Sequence, residues 1–360
     1  MEKKNHFNQG RMNKIPFWSV CLLSALILSC SSGGGGGESP SDTAAPQDEA
    51  GNDTNPSDDI SDHPISFTLD QGYRINFASN PRILSYEKGQ LKLGYEYQAR
   101  ELTANPSDKG YVAFSTDGLT FSGNRRFQQG ENKERGVLID NEIWRRYAED
   151  EGSGKVMSES STDGVNYSPD DGYRYDLNTN DSGKMGVRTF FVDQYGGVVM
   201  LYNSDISVNG KEVIFVRRAY SKPGDKGLHF ELTDDDVMGM TYDDGVNQSF
   251  ADPNAIVLPD GRVRLIVMQQ DRGQPLPPLG RTGTIYSFIS DDGSTFQMEA
   301  RLFSWENFSE FEVRSLNDPK IIRFDDGSYH IYVAAMIPTE SGEEDQGEYK
   351  WVIVSAACKE

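Results

Sequence analysis

The chain is poor in cysteine and histidine, with three Cys and four His in 360 residues. His6, His63, His229 and His330 are scattered, and no Cys/His group has the spacing of a zinc site. Positive charge is also scarce, with 35 Lys and Arg against 56 Asp and Glu and a net charge of −21. That balance excludes nucleic acid, whose phosphates need cationic partners. It equally excludes electrostatic docking on an anionic lipid surface. No P-loop, no dinucleotide fingerprint and no Gly-x-Ser-x-Gly elbow occurs, so no cofactor is expected. The acidic runs Asp234-Asp235-Asp236 and Asp243-Asp244 lack calcium-loop spacing, and no metal is expected. The main apolar run, residues 15–28, is too short for an ordinary membrane span.

That run follows Lys3, Lys4, Arg11 and Lys14 and ends Ile27-Leu28-Ser29-Cys30, which reads as a secretory signal. The junction resembles a bacterial lipobox. The resemblance implies cleavage before Cys30, lipidation of its thiol and an anchored protein of the cell envelope, with Ser31 pointing to the outer membrane. Residues 1–29 are thus expected to be a signal peptide. Residues 30–64 are expected to form a flexible acidic tether, since Gly33 to Gly37 are followed by Ser, Pro, Asp and Glu without apolar periodicity. With Cys30 acylated, Cys358 is a lone thiol on the last strand, expected as a small packed residue.

What is abundant is turn chemistry. Ser115-Thr116-Asp117-Gly118-Leu119-Thr120-Phe121 recurs as Ser161-Thr162-Asp163-Gly164-Val165-Asn166-Tyr167 and as Ser290-Asp291-Asp292-Gly293-Ser294-Thr295-Phe296. A looser copy runs from Ser221 to Phe230. Asp can bond backbone two residues on, Gly accepts a positive φ, and the aromatic can pin the outgoing strand. A second hairpin precedes each copy. Its markers Gly89, Asn141, Gly197, Gly261 and Gly327 follow one another at 52, 56, 64 and 66 residues. Arms such as Ala255–Leu258 and Val263–Val267 are rich in β-branched and apolar residues. Two hairpins per unit make a four-stranded blade, and five units predict an all-β, five-bladed propeller over residues 65–360. The second unit is the weakest, because its first turn lacks Gly. The fifth unit ends at a third strand, Trp351–Ser355, so Ile65–Leu69 or Tyr73–Ile75 is expected to supply the fourth and close the ring.

Ala251-Asp252-Pro253-Asn254 and Asn317-Asp318-Pro319-Lys320, each leading to an apolar strand and an Asp-Gly turn, resemble the blade openings of five-bladed glycosidases of families 43 and 32. The Ser-x-Asp-Gly turns resemble the Asp boxes of sialidases. The resemblance implies a carbohydrate substrate or ligand in an axial pocket, carboxylic acids at inner-strand starts and a monomer. In the furanosidase pattern a base Asp opens the first blade; here Asn80 stands there, and an amide is no general base. The second and third openings, near Arg135 and at Val187-Arg188-Thr189, carry Arg rather than acids. Asp252, Asp318 and Glu312 are the acid/base candidates, with Asn80, Arg82, Arg188 and Arg314 as substrate-binding candidates. Two alternatives stay open. One is a non-catalytic propeller that binds a glycan or protein. The other is a sialidase-like enzyme using Arg82, Arg188 and Arg314 on a substrate carboxylate.

Overall fold

The computed structural model describes residues 65–98, 110–128, 136–150, 153–180, 186–208, 211–234, 236–239, 249–270, 275, 277–343 and 347–359. The expected signal peptide, Cys30 and the tether lie outside them, as do Arg135 and Asp243-Asp244.

Two short strands come first, β1 (Thr68–Leu69) and β2 (Ile75–Asn76). The first blade is β3 (Ala78–Glu87), β4 (Gln90–Tyr97), β5 (Gly110–Ser115) and β6 (Ser122–Arg126). The second is β7 (Val137–Ile139), β8 (Ile143–Asp150) and β9 (Lys155–Ser161), with β10 (Ser168–Pro169) and β11 (Tyr175–Asp176) sharing the outer edge. The third is β12 (Arg188–Val192), β13 (Val198–Val208), β14 (Lys211–Ser221) and β15 (Glu231–Asp234). The fourth is β16 (Ser249–Val257), β17 (Val263–Gln270), β18 (Thr284–Ser290) and β19 (Gln297–Ser304). The fifth is β20 (Ser315–Arg323), β21 (Ser328–Pro338) and β22 (Tyr349–Lys359), and β1 and β2 pair with β22 to complete it. The five-bladed propeller and its N-terminal closure are as expected.

The innermost strands neighbour one another in blade order: β7 by β12, β12 by β16, β16 by β20, and β20 by β3. The apolar core lies between blade faces. Leu265, Val267 and Phe288 of the fourth blade meet Phe191, Val199 and Leu201 of the third. Leu91, Leu93 and Ala113 of the first meet Ile322, Phe324 and Tyr332 of the fifth. Cys358 is buried in the cluster joining the fourth and fifth blades, the packed residue expected.

The second blade forms its first hairpin without Gly because Asp140 and Asn141 adopt φ of 53° and 56°, matching Lys88 and Gly89 at 52° and 73°. A two-residue hairpin turn needs positive φ at both centres, and Asp and Asn bear it better than other side chains. The three close copies of the Asp-Gly turn bond alike. Asp117 Oδ1 accepts the N–H groups of Leu119 and Thr120 at 2.9 and 2.7 Å, while Ser115 Oγ accepts the N–H of Gly118 at 2.9 Å. Asp163 and Ser161 repeat this at Val165, Asn166 and Gly164, and Asp292 and Ser290 at Ser294 and Gly293. Bonds from Thr120 and Leu119 hold the Asp117 carboxyl well below the usual carboxylate range, despite some opposing burial.

These turns also fasten one blade to another. Tyr332 O–H of the fifth blade donates to Gly118 O of the first at 2.9 Å. Tyr147 O–H of the second donates to Gly227 O of the third at 3.1 Å. Arg218 Nε of the third donates to Gly293 O of the fourth at 3.0 Å.

A further repeat, not anticipated from the sequence, edges the fifth and second blades: Asp70-Gln71-Gly72-Tyr73-Arg74 and Asp170-Asp171-Gly172-Tyr173-Arg174. Asp70 and Asp170 accept from Ser355 Oγ and Ser158 Oγ, both at 2.6 Å, and their N–H groups donate to Ser355 O and Ser158 O, both at 3.0 Å. Arg74 and Arg174 each reach the following blade's turn, donating from Nη1 to Leu119 O and Leu228 O at 3.1 Å. Gly72 and Gly172 turn the edge strand between these anchors at φ of 69° and 74°, where a side chain would be strained.

Within the fourth blade, Arg264 grips Glu299 with two bonds of 2.9 and 2.8 Å, and Ser287 Oγ adds one at 2.6 Å, all buried. Removing one partner of a buried pair strands the other's charge. Glu299→Ala is therefore expected to lower unfolding free energy by about 3–5 kcal/mol, read by urea denaturation; a change below about 1 kcal/mol would refute the assignment.

Candidate functional site

The innermost strands of the first, fourth and fifth blades share one local device. Asn80-Pro81, Asp252-Pro253 and Asp318-Pro319 each interrupt the ladder, whose register shifts between Ser79 and Arg82, Ala251 and Asn254, and Asn317 and Lys320. Proline has no N–H for the ladder, so the strand bulges there. The residue before it takes φ of 48°, 58° and 55° respectively. Asn and Asp tolerate this left-handed conformation, and the bulge re-aims their side chains out of strict alternation.

Asp252 and Asp318 meet across the boundary of the fourth and fifth blades. The Asp318 N–H donates to Asp252 Oδ2 at 3.1 Å. The Asn203 side chain, on β13, also hydrogen-bonds to Asp252. Two neighbouring bonds continue the stitching from blade to blade: Ile321 N–H to Asn254 Oδ1 at 2.9 Å, and Ala255 N–H to Thr189 Oγ1 at 3.3 Å. The Asp318 carboxyl has no hydrogen-bond partner among the described residues. Both aspartates keep some solvent contact although protein surrounds them.

Burial pushes the Asp252 carboxyl upward, against the bonds from Asp318 and Asn203 and the charge of Lys320. Burial, then the charge of Asp252, push Asp318 up to about 7. Lys320 and Arg82 oppose that rise, and Glu96 adds to it. Lys320 is buried on β20, and Arg82 pairs with Glu96 at 3.3 Å. Two carboxyl groups so coupled titrate as a unit. Hydrogen bonds favour an ionised carboxyl, so Asp252, with two of them, is the better carboxylate and Asp318 the better proton carrier.

The other expected site residues are distributed differently. Asn80 occupies the equivalent bulge of the first blade. Arg82 stands within electrostatic reach of Asp318. Glu312 pairs with Arg281 and with Arg314 at 2.8 Å. Arg188 lies opposite Tyr202 on the inner hairpin of the third blade. Lys320, Asn203 and Glu96 belong to the electrostatics of the pair and were not anticipated. Lys320 alone carried a signal, as a charge two residues after Asp318 on the same inner strand.

This propeller fold is shared with solved structures of low sequence identity. Two solved structures make the likeness concrete. A complex of BT0996 with RGII superposes with a TM-score of 0.53 at 12% identity, over 82% of this protein and 93% of that one. A second structure, named simply as a glycoside hydrolase, superposes with a TM-score of 0.53 at 13% identity, over the same shares. At such identities the likeness is one of fold. No protein-family model matches the sequence, and no curated protein matches it.

Proposed function

We propose that the propeller acts on carbohydrate at the end of the ring where β16 and β20 begin, cleaving a glycosidic bond with Asp318 as proton donor and Asp252 as the ionised partner. The observation that carries this reading is the coupled pair, with Asp318 raised to about 7 beside a carboxylate held by two hydrogen bonds. Glycoside hydrolysis needs a carboxylic acid and a carboxylate in one site at one pH. The likeness in fold to a structure named as a glycoside hydrolase supports the same reading.

Arg82 would orient a hydroxyl or carboxylate of the sugar, and Asn80 would donate a hydrogen bond where a third acid is missing. The test is reducing-sugar release across a broad glycan panel at pH 5 to 8. Absence of turnover, with saturable glycan binding retained, would move the protein to the second reading, a glycan-binding propeller. Asn80 favours that reading specifically, because it sits in the first blade's equivalent of the bulges that carry the two aspartates, without an ionisable group.

The protein is proposed to work at the cell envelope, tethered through lipidated Cys30. Cys30→Ala is expected to release it from the membrane fraction or leave an uncleaved precursor. A mature protein with an unmodified N-terminus at another residue would exclude the anchor.

A further inference from the structure

A second cluster, four residues before Asp318 in the chain at Arg314, is built where two connecting segments run together. Thr282 N–H donates to Arg314 O at 3.1 Å and Leu316 N–H to Thr282 O at 3.2 Å. This pairing places Arg281 and Arg314 on adjacent backbones just before β20. Both guanidinium groups converge on a single oxygen, Oε1 of Glu312. Arg281 also lies over the Trp305 ring at 4.8 Å, and Arg314 over the Tyr349 ring at 5.8 Å. Solvent reaches all three charged groups, with side-chain exposures of 38% for Arg281 and Glu312 and 22% for Arg314.

The arithmetic of charge and donors is uneven. Two cations share one anion, leaving a positive spot on a protein of net charge −21. A guanidinium offers five N–H groups in a planar fork, and a carboxylate is best held by two of them in parallel. Glu312 engages neither fork in that way through its shared oxygen, and Arg314 Nε is buried without a hydrogen-bond partner among the described residues. The aromatic rings hold the forks in place before any ligand arrives, which lowers the ordering cost of binding.

We propose that Arg281 and Arg314 form a subsite for the carboxylate of an acidic sugar, a uronic acid, with Glu312 holding the arginines when the subsite is empty. The inference rests on the carbohydrate reading above and names its substrate class. Arg314 precedes Asp318 by four residues, at most about 14 Å of chain, a span that one oligosaccharide can bridge. The seat already takes a planar carboxylate in Glu312, which is why a carboxylate is chosen over a tetrahedral sulfate.

Calorimetric titration of the purified protein with trigalacturonate, its methyl ester, a sulfated disaccharide and neutral oligosaccharides tests this. Trigalacturonate is expected to bind about ten- to a hundredfold more tightly than its ester, the worth of one charge-assisted contact. Arg281→Ala should erase that difference and leave the ester unaffected, with an unchanged melting temperature. Glu312→Gln, which frees both forks, should move affinity for the acid the other way. Equal affinity for acid and ester, or an acid affinity indifferent to Arg281→Ala, overturns the subsite. An equal gain with the sulfated sugar overturns its carboxylate preference. Binding of neutral oligosaccharides alone refutes the subsite and leaves the carbohydrate reading standing; binding of neither class refutes both.

Discussion

Asp318→Asn is expected to lower turnover by about 10²–10⁴-fold, the usual worth of a positioned general acid, while making the protein more stable above neutral pH. The two effects share one cause. In the folded protein Asp318 keeps its proton up to about pH 7, whereas an unfolded Asp releases it near 3.8. Between those values the folded state holds a proton that the unfolded state has lost, so stability falls as pH rises through the window and is lowest above it. The cost is a few kcal/mol. An amide keeps the shape and carries no charge to bury, so the variant escapes that cost. Melting curves should show parent and variant alike near pH 4 and the variant several degrees higher at pH 8. In the parent, activity should decline on the alkaline side near pH 7, as the proton donor ionises. A variant that keeps full turnover, or one whose melting point gains nothing at pH 8, would remove Asp318 from the role assigned to it.

Removing the N-terminal segment through residue 77 is expected to cost the folded state, whereas deleting residues 31–60 should leave the melting temperature unchanged. The longer truncation takes away Phe67 and Ile75, both buried against the fifth blade or its neighbours. Deleting two such side chains alone costs about 5 kcal/mol or more, a large share of the 5–15 kcal/mol that holds a protein folded. It also removes the bonds from Asp70 and Arg74 to Ser355 and Ile353. The eleven-residue β22 then becomes an unpaired edge, a template for association between copies. Size-exclusion chromatography and thermal melts compare the two truncations. A longer truncation that stays monomeric and melts with the shorter one would show that closure contributes little.

Most of the architecture was legible because its signals are local. An Asp-Gly turn needs five or six neighbouring residues, and a propeller repeats them. The aspartates of the site were legible for the same reason, since Asp-Pro at an inner-strand start is a dipeptide. Their coupling was not, because Asp252 and Asp318 are 66 residues apart and meet only through the adjacency of two blades. Asn203 and Glu96 act across strands or blades, where no sequence spacing records them. Glu312 was singled out for its closeness in sequence to Asp318, and its pairing with Arg281, 31 residues away, had no such signal. The paired Asp-x-Gly-Tyr-Arg segments were missed because they sit 100 residues apart on the outer edges of non-adjacent blades, away from the hairpins that set the period.

The blade-to-blade bonds of the Asp-Gly turns have a direction, and it bears on how the protein is made. Tyr147 and Arg174 are synthesised before the third blade's turn that they hold, and Arg218 before the fourth blade's. Each of those turns emerges from the ribosome to find its partner already present. The first blade's turn is the exception. It emerges after Arg74 but some two hundred residues before Tyr332, with 214 positions between that hydroxyl and its acceptor, Gly118. The earliest blade is therefore the last to be locked, and a nascent chain stalled before residue 332 carries a fully translated first blade with its docking turn only half held. Protease protection of stalled nascent chains should rise for the third and fourth blades in order of synthesis, and for the first only at the end.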